Sequence, residues 1–128
     1  VTALIAELDF LKNFQLILAE RFGEKVNVSL PEAPSENLKI IPNTLILILE
    51  EIISGNRMST ETPLEISISV EGMNLSIEHS HSPKSGLRRE NDQLQLLQQQ
   101  YEQHSGKQSE WSVSGATRRI SIPLVYEN

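Results

Sequence analysis

There is no cysteine among the 128 residues, which excludes a disulfide framework, a thiol nucleophile and a cysteine-based zinc site. No run approaches the roughly 18 apolar residues of a membrane span, and no secretory leader pattern is visible. Neither a G-x-x-x-x-G-K-[ST] phosphate loop nor a G-x-G-x-x-G turn occurs, so two common glycine-rich phosphate cradles are missing. No serine stands in a G-x-S-x-G elbow. Basic residues are in deficit: 11 Lys and Arg against 17 Asp and Glu give a formal charge of -6 and a pI of about 5.0. That balance weighs against a nucleic-acid-binding surface, which needs a basic face.

What is present is an ordinary globular balance, 38% apolar and 22% charged, in a length that fits one domain with a single core. The chain begins at Val1 inside a helical pattern. The expectation is therefore one domain over 1–128, cut from a longer protein.

Residues 1–22 read as a helix. Leu4, Leu8, Leu11, Phe14 or Gln15, and Leu18 recur at helical spacing, Ile5 and Ile17 widen the stripe, and Gly23 stops it. "KVNVSL" (25–30) alternates like a strand, and "PEAPSEN" (31–37) is loop. "IPNTLILILEEIISGN" (41–56) reads as a helix with Pro42 near its start, Asn43 or Thr44 as cap and Gly55 at its end. "LEISISVEG" and "NLSIEHS" alternate strictly about a turn at Gly72, a β-hairpin. Residues 81–92 are loop. "DQLQLLQQQYEQH" (92–104) reads as a helix with Leu94, Leu97 and Tyr101 on one stripe. "SEWSVSG" and "TRRISIPLVY" close the chain as strands around Gly115. The order α-β-α-β-β-α-β-β predicts an α+β fold, a two-layer sandwich of a mixed sheet with helices on one face.

Few residues carry candidate chemistry. Glu50 and Glu51 sit side by side in an apolar helix, and burying an uncompensated charge costs several kcal/mol. They are about 100° apart on the helix and cannot converge on one atom without a third element. They read either as solvated helix edges or as parts of a site completed from elsewhere. His79 and His81, two apart, share a strand face. They read as a metal pair or as a polar strand end, with no cysteine nearby and only Glu78 adjoining. Ser80, Ser82 and Ser85 lie near these histidines in a serine-rich stretch without a nucleophile pattern. Arg88 and Arg89 suit a phosphate, but Gly86 stands alone beside them.

The order of segments and several words within them resemble the C-terminal ATPase domain of sensor histidine kinases, most closely the LytS-type group. The resemblance covers nearly the whole chain. Glu7, Leu8, Phe10, Leu11, Phe14, Arg21 and Phe22 match the family's helix after the phosphoacceptor region. "KIIPNTLILILEEIISGN" matches the nucleotide helix, "PLEISISVEGMNLSIEH" the hairpin, "LQLLQQQY" the helix after the lid, and "ISIPL" the last strand.

The resemblance implies a Bergerat-type α/β sandwich shared with gyrase. It further implies a homodimer in the full-length protein, a LytTR-type response regulator as partner, and a cytoplasmic domain of a membrane-anchored bacterial sensor. It gives this segment neither nucleic acid nor direct membrane contact.

The departures fall on the nucleotide motifs. The family's magnesium-holding Asn falls at Glu51, with the preceding acid kept as Glu50, and a family His falls at Gly55. The adenine-binding Asp falls near His79, with His81 in place of a glycine. The lid's Gly-x-Gly-Leu falls at Asn91, Asp92, Gln93 and Leu94. A family Asn falls at Leu96, and arginines fall at Gln98, Gln99 and Gln100.

Glycines let backbone N–H groups approach phosphates, and Gln93 removes that freedom. Without the arginines a triphosphate is less neutralised, and Glu51 adds a negative charge, though as a hard oxygen donor it remains a candidate Mg²⁺ ligand. The expectation is a degenerate domain with weak or no ATP binding, no assigned catalytic residue and no cofactor, acting as a structural or interaction module. Glu50, Glu51, Gly55, His79, His81, Gln93 and Leu94 would be its remnant pocket. The alternative is a divergent but working domain that takes Mg·ATP and acts as a protein-histidine kinase.

Overall fold

Alternation along the strands sorts side chains into two unlike faces. A computed structural model describes residues 1–32, 34–84, 92–105 and 110–127, without the side chains of Asp92, Gln93, His104, Ser105 and Glu110. Strands β2 (Val26–Ser29), β4 (Leu64–Glu71), β5 (Asn74–Ser80), β7 (Thr117–Pro123) and β6 (Glu110–Ser114) form a sheet in that spatial order. β2 runs parallel to β4 and the other pairs are antiparallel, so the sheet is mixed. The register aligns Ile68 with Ile77 and Ile77 with Ile120, and Leu75 with Ile122. This apolar face is buried. The opposite face carries Asn27, Glu65, Ser67, Glu71, Glu78, Thr117 and Arg119, all exposed. There Arg119 bonds Ser76 Oγ at 3.0 Å and pairs with Glu71 and Glu78. A helix has nothing apolar to bury on that side, so the helices occupy the other face, and the expected two-layer α+β architecture is the one observed.

Helix α1 (Leu4–Phe22) buries Leu4, Leu8, Leu11 and Leu18, and Gly23 ends it at φ 61, where a side chain is strained. Helix α2 (Thr44–Gly55) buries Leu45, Ile48, Leu49, Ile52 and Ile53. Helix α3 (Asp92–Ser105) buries Leu94, Leu97 and Tyr101. The two hairpins turn in two residues, Gly72–Met73 and Gly115–Ala116, each with its glycine at φ 60. Glycine at the first central position with positive φ is the type II′ pattern, whose twist matches the strands.

Several expectations need correction. The first helix starts at Leu4, because Thr2–Ala3 form a short strand β1. β1 pairs with β3 (Leu38–Ile40), which pairs with β8 (Val125–Tyr126), making a second, three-stranded sheet that was not foreseen. Strands of two or three residues carry too little alternation to read. The final strand is also interrupted. Pro123 has no N–H to donate, and Leu124 N turns instead to Met73 O at 2.8 Å. Ile17 does not widen the α1 core stripe; it is 58% exposed. Gln15 looks inward instead, its Nε2 donating to Val28 O at 2.7 Å on the edge strand β2.

Helix α2 crosses the middle of the helical layer, and Leu49 is fully buried there. Leu49→Ala should lower unfolding free energy by about 2–5 kcal/mol. Leu16→Ala, at a site 71% exposed, should stay within about 0.5 kcal/mol of wild type. Urea titration of both variants checks this.

Candidate functional site

The ends of α2 are held by groups outside the helix. At its start Asn43 lies in the left-handed region, φ 69, and makes no side-chain cap. Thr44 Oγ1 donates back to Ile41 O at 2.7 Å and lies 2.6 Å from Tyr101 Oη, and Ile41 N donates to Tyr101 Oη at 3.2 Å. The Glu7 carboxylate of α1 stands where a cap oxygen would, facing the backbone N–H groups of Asn43, Leu45 and Thr44. Its Oε1 is nevertheless buried without a hydrogen bond, and burial outweighs the amides and raises its pKa. Burial also pushes the Tyr101 phenol up to about 12.

At the other end, Gly55 does not terminate α2 through a left-handed turn. It lies within the helix, and Asn56 closes it. Asn56 is buried, its Nδ2 donating to Ile52 O at 2.9 Å and its Oδ1 accepting from Ser82 N at 2.9 Å. Arg57 N donates to Ser82 O at 2.8 Å and Lys84 N to Gly55 O at 3.0 Å. The chain leaving β5 is thereby clasped to the C-terminal end of α2. Asn56 was missed in the sequence, although an Asn immediately after a helical run is a usable capping signal.

The two acids of α2 separate. Glu50 lines a cleft between α1 and α2 with Phe14, Ile17 and Ile53. Glu51 lies on the flank shared by Thr44 and Ile48, at helical spacing. On that flank Thr44 meets Tyr101 of α3, and Ile48 borders a small cavity with Leu97 and Tyr101. One acid thus looks toward α1 and the other toward α3.

His79 lies on the inner face of the sheet, 2% exposed, directly across from Arg118. Its Nδ1 is 2.8 Å from Ser80 O. A carbonyl can only accept, so Nδ1 carries the proton and Nε2 presents a lone pair. That Nε2 is buried without a hydrogen bond, as is His81 Nδ1, and the two rings stand 6.0 Å apart. Arg118 covers the Trp111 ring at 4.8 Å. Desolvation lowers the His79 pKa, opposed by the Ser80 carbonyl and assisted by Arg118 and His81. Among the described residues no group of three or more His, Cys, Asp or Glu is placed to hold a metal ion, and the cationic Arg118 beside the pair disfavours one. Ser80 Oγ accepts from Glu65 N at 3.0 Å.

Of the other candidates, Leu94 is packed in the core. The Gln93 side chain, Asn91, Ser85, Gly86, Arg88 and Arg89 lie outside the described residues. The cleft that holds Glu50 is lined by neither Glu51, His79, His81 nor Leu94.

No family model matches the sequence, and no curated protein matches it. A solved structure does resemble the fold. The histidine kinase AdeS of Acinetobacter baumannii superposes with a TM-score of 0.61 at 17% identity, over 99% of this chain and 66% of that one. The chain therefore has the α+β fold of a histidine-kinase ATPase domain, and it spans less than two thirds of that solved chain.

Two titrations test the buried groups. The His79 pKa lies below 6.5 in the folded state. As pH falls below that value the unfolded chain takes up a proton that the folded one resists, so stability should be lost on acidification. NMR titration of the ring should show a Nδ1–H tautomer with a midpoint below that of an exposed histidine. Glu7 has the opposite linkage. Its pKa is raised above 4.5, so stability falls as pH climbs from that value through the folded pKa. Glu7→Gln should remove this loss and gain on wild type as pH rises from 4 to 7 in urea titrations.

Proposed function

We propose that this chain is the nucleotide-fold domain of a two-component sensor protein of LytS type, with degenerate nucleotide motifs. It binds ATP weakly or not at all and acts as a structural and interaction module. It would lie on the cytoplasmic side of a membrane-anchored bacterial sensor, dimerise through the rest of the protein, and work with a LytTR-type response regulator. The observation that carries the reading is the fold itself, combined with the residues that occupy it. The fold is that of a histidine-kinase ATPase domain, and in the sequence resemblance Glu51 falls at the magnesium-holding Asn and the adenine-binding Asp falls near His79, which is buried with its pKa lowered by desolvation. Glu50, Gly55, His81, Gln93 and Leu94 complete the proposed remnant pocket. The clasp of the post-β5 segment onto α2 supports a structural role, because Asn56 and the backbone of Gly55, Arg57, Ser82 and Lys84 tie these elements together.

One observation favours the second reading, a divergent but working Mg·ATP domain. The unpartnered His79 Nε2 is a hydrogen-bond acceptor, the property that an adenine amino group requires of its partner. Glu51 would then ligate Mg²⁺.

Calorimetric titration with Mg·ATP separates the two. Each lost charge-assisted contact costs about 1.5–3 kcal/mol. Loss of the adenine carboxylate, the lid glycine and the metal Asn together would move a micromolar site beyond millimolar. The expected result is no resolved binding by the wild type, no autophosphorylation, and binding gained by the Glu51→Asn, Gln93→Gly double variant. Micromolar binding by the wild type, lost in His79→Phe, would overturn the degenerate reading in favour of the second.

A further inference from the structure

A large cleft among the described residues lies not on the α3 flank of α2 but on the other side. It holds about 770 Å³ between α1 and α2, within the range of small-molecule sites. Helices α1 and α2 run in the same sense. Glu7 of α1 faces the first residues of α2, while residues from Phe14 onward line the cleft with residues from Glu50 onward. Both C-terminal ends therefore meet at one end of the cleft, and its lining is polarised along its length. Phe14, Ile17 and Leu18 of α1 and Ile53 of α2 form an apolar end. Arg21 and Lys25, with Arg57 and Lys84 from beyond α2, make the other end cationic, with Phe22, over whose ring Arg21 lies at 5.2 Å, and Met58 among them. Among the described residues of the lining there are four cations and one carboxylate, Glu50, which stands toward the apolar end, in a chain of net charge -6. Among the described residues neither Arg21, Lys25 nor Lys84 is in an ion pair.

The apolar end continues onto the surface of α1. Phe10, Phe14 and Ile17 recur at helical spacing on a second stripe, distinct from the buried leucines. Phe10 and Ile17 remain more than half exposed. Leaving such residues in water has no structural return for the fold.

We infer that this cleft binds an amphiphilic anion, a free fatty acid or similar long-chain carboxylate, with the chain along Phe14, Ile17 and Ile53 and the headgroup among Arg21, Lys25 and Lys84. The cations gather at one end of the cleft and not along its length, which suits an amphiphile with a single anionic headgroup. The cleft shares Glu50 with the proposed remnant pocket but is not lined by Glu51, His79, His81 or Leu94, so binding here is tested without nucleotide.

The test uses monomeric dodecanoate below its micellar concentration, with dodecanol and dodecyltrimethylammonium as uncharged and cationic controls of equal chain length. Thermal unfolding and calorimetry are read on the whole chain. Dodecanoate should raise Tm by several degrees when well above its Kd, dodecanol by less, and the cation not at all. Ile17→Asp should weaken dodecanoate about tenfold or more through lost apolar contact. Lys25→Glu should weaken dodecanoate about threefold to tenfold while leaving dodecanol unchanged. Both positions are exposed, and the ligand-free Tm reports any folding defect. Equal shifts with all three probes, or an unchanged dodecanoate affinity in Ile17→Asp, would overturn the site. Association only with phosphatidylglycerol vesicles would overturn it as a free-ligand site. If the cations serve only the helix C-termini, Lys25→Glu lowers the ligand-free Tm and dodecanoate gives no shift, which also overturns it.

Discussion

Helix α2 buries a broad aliphatic face, and that constraint organises the molecule. Five of its twelve residues are large aliphatic side chains buried to 9% exposure or less, spread over too wide an arc for one partner to cover. The helix is flanked by α1 and α3, and its aliphatic residues join those of the sheet's inner face in one core. Its two acids are then forced to the outer edges, one toward each neighbouring helix. Both ends are buried as well, so their orphan backbone groups need partners from elsewhere in the chain. Glu7 faces one end, and Asn56, with the strand of backbone behind it, closes the other.

From this arrangement the molecule acquires two unlike flanks. On the α3 side, Thr44 and Tyr101 share a buried hydroxyl contact, and Glu51 lies along the same line. The polar groups near β5 are packed tightly and electrostatically mixed: a neutral His79, His81, and an Arg118 stacked on Trp111. On the α1 side, a cleft with apolar and cationic lining lies between the C-terminal halves of the two helices. Buried polar groups in the first region set the pH response of the fold. Glu7 and His79 have opposite linkage, the one disfavouring rising pH and the other falling pH. Between pH 4.5 and 6.5 both penalties act at once, so these two groups together cost stability in that interval.

The serine-rich outer face of the sheet follows from the same economy. With all three helices on one side, the other side meets water, and Ser, Thr, Asn and Glu there keep it soluble. Arg119 pairs across two strands with Glu71 and Glu78. Such exposed pairs contribute about 0–1 kcal/mol and matter more for the evenness of the surface than for stability.

Periodicity in the sequence was enough to determine the three helices, the β4–β5 and β6–β7 hairpins and the one-sided sheet. Each of these elements repeats its signal over several residues: leucines at helical spacing in α1, alternating Ile and Ser in β4, glycines at two tight turns. It also determined that Glu50 and Glu51 do not converge, since adjacent residues on a helix cannot. What tertiary structure alone decided was everything carried by single contacts between distant residues. The strands β1, β3 and β8 exist because they pair with one another, and none has a pattern of its own. Glu7 faces the start of α2 across 36 residues or more, Asn56 meets Ser82 across 26, and Tyr101 reaches Thr44 across 57. No local rule links such positions, because each contact is set by how whole elements pack. The exposed Ile17 makes the same point. By spacing it borders the core stripe, but the packing angle of α1 against α2 turned it toward an open cleft and gave that cleft its apolar wall.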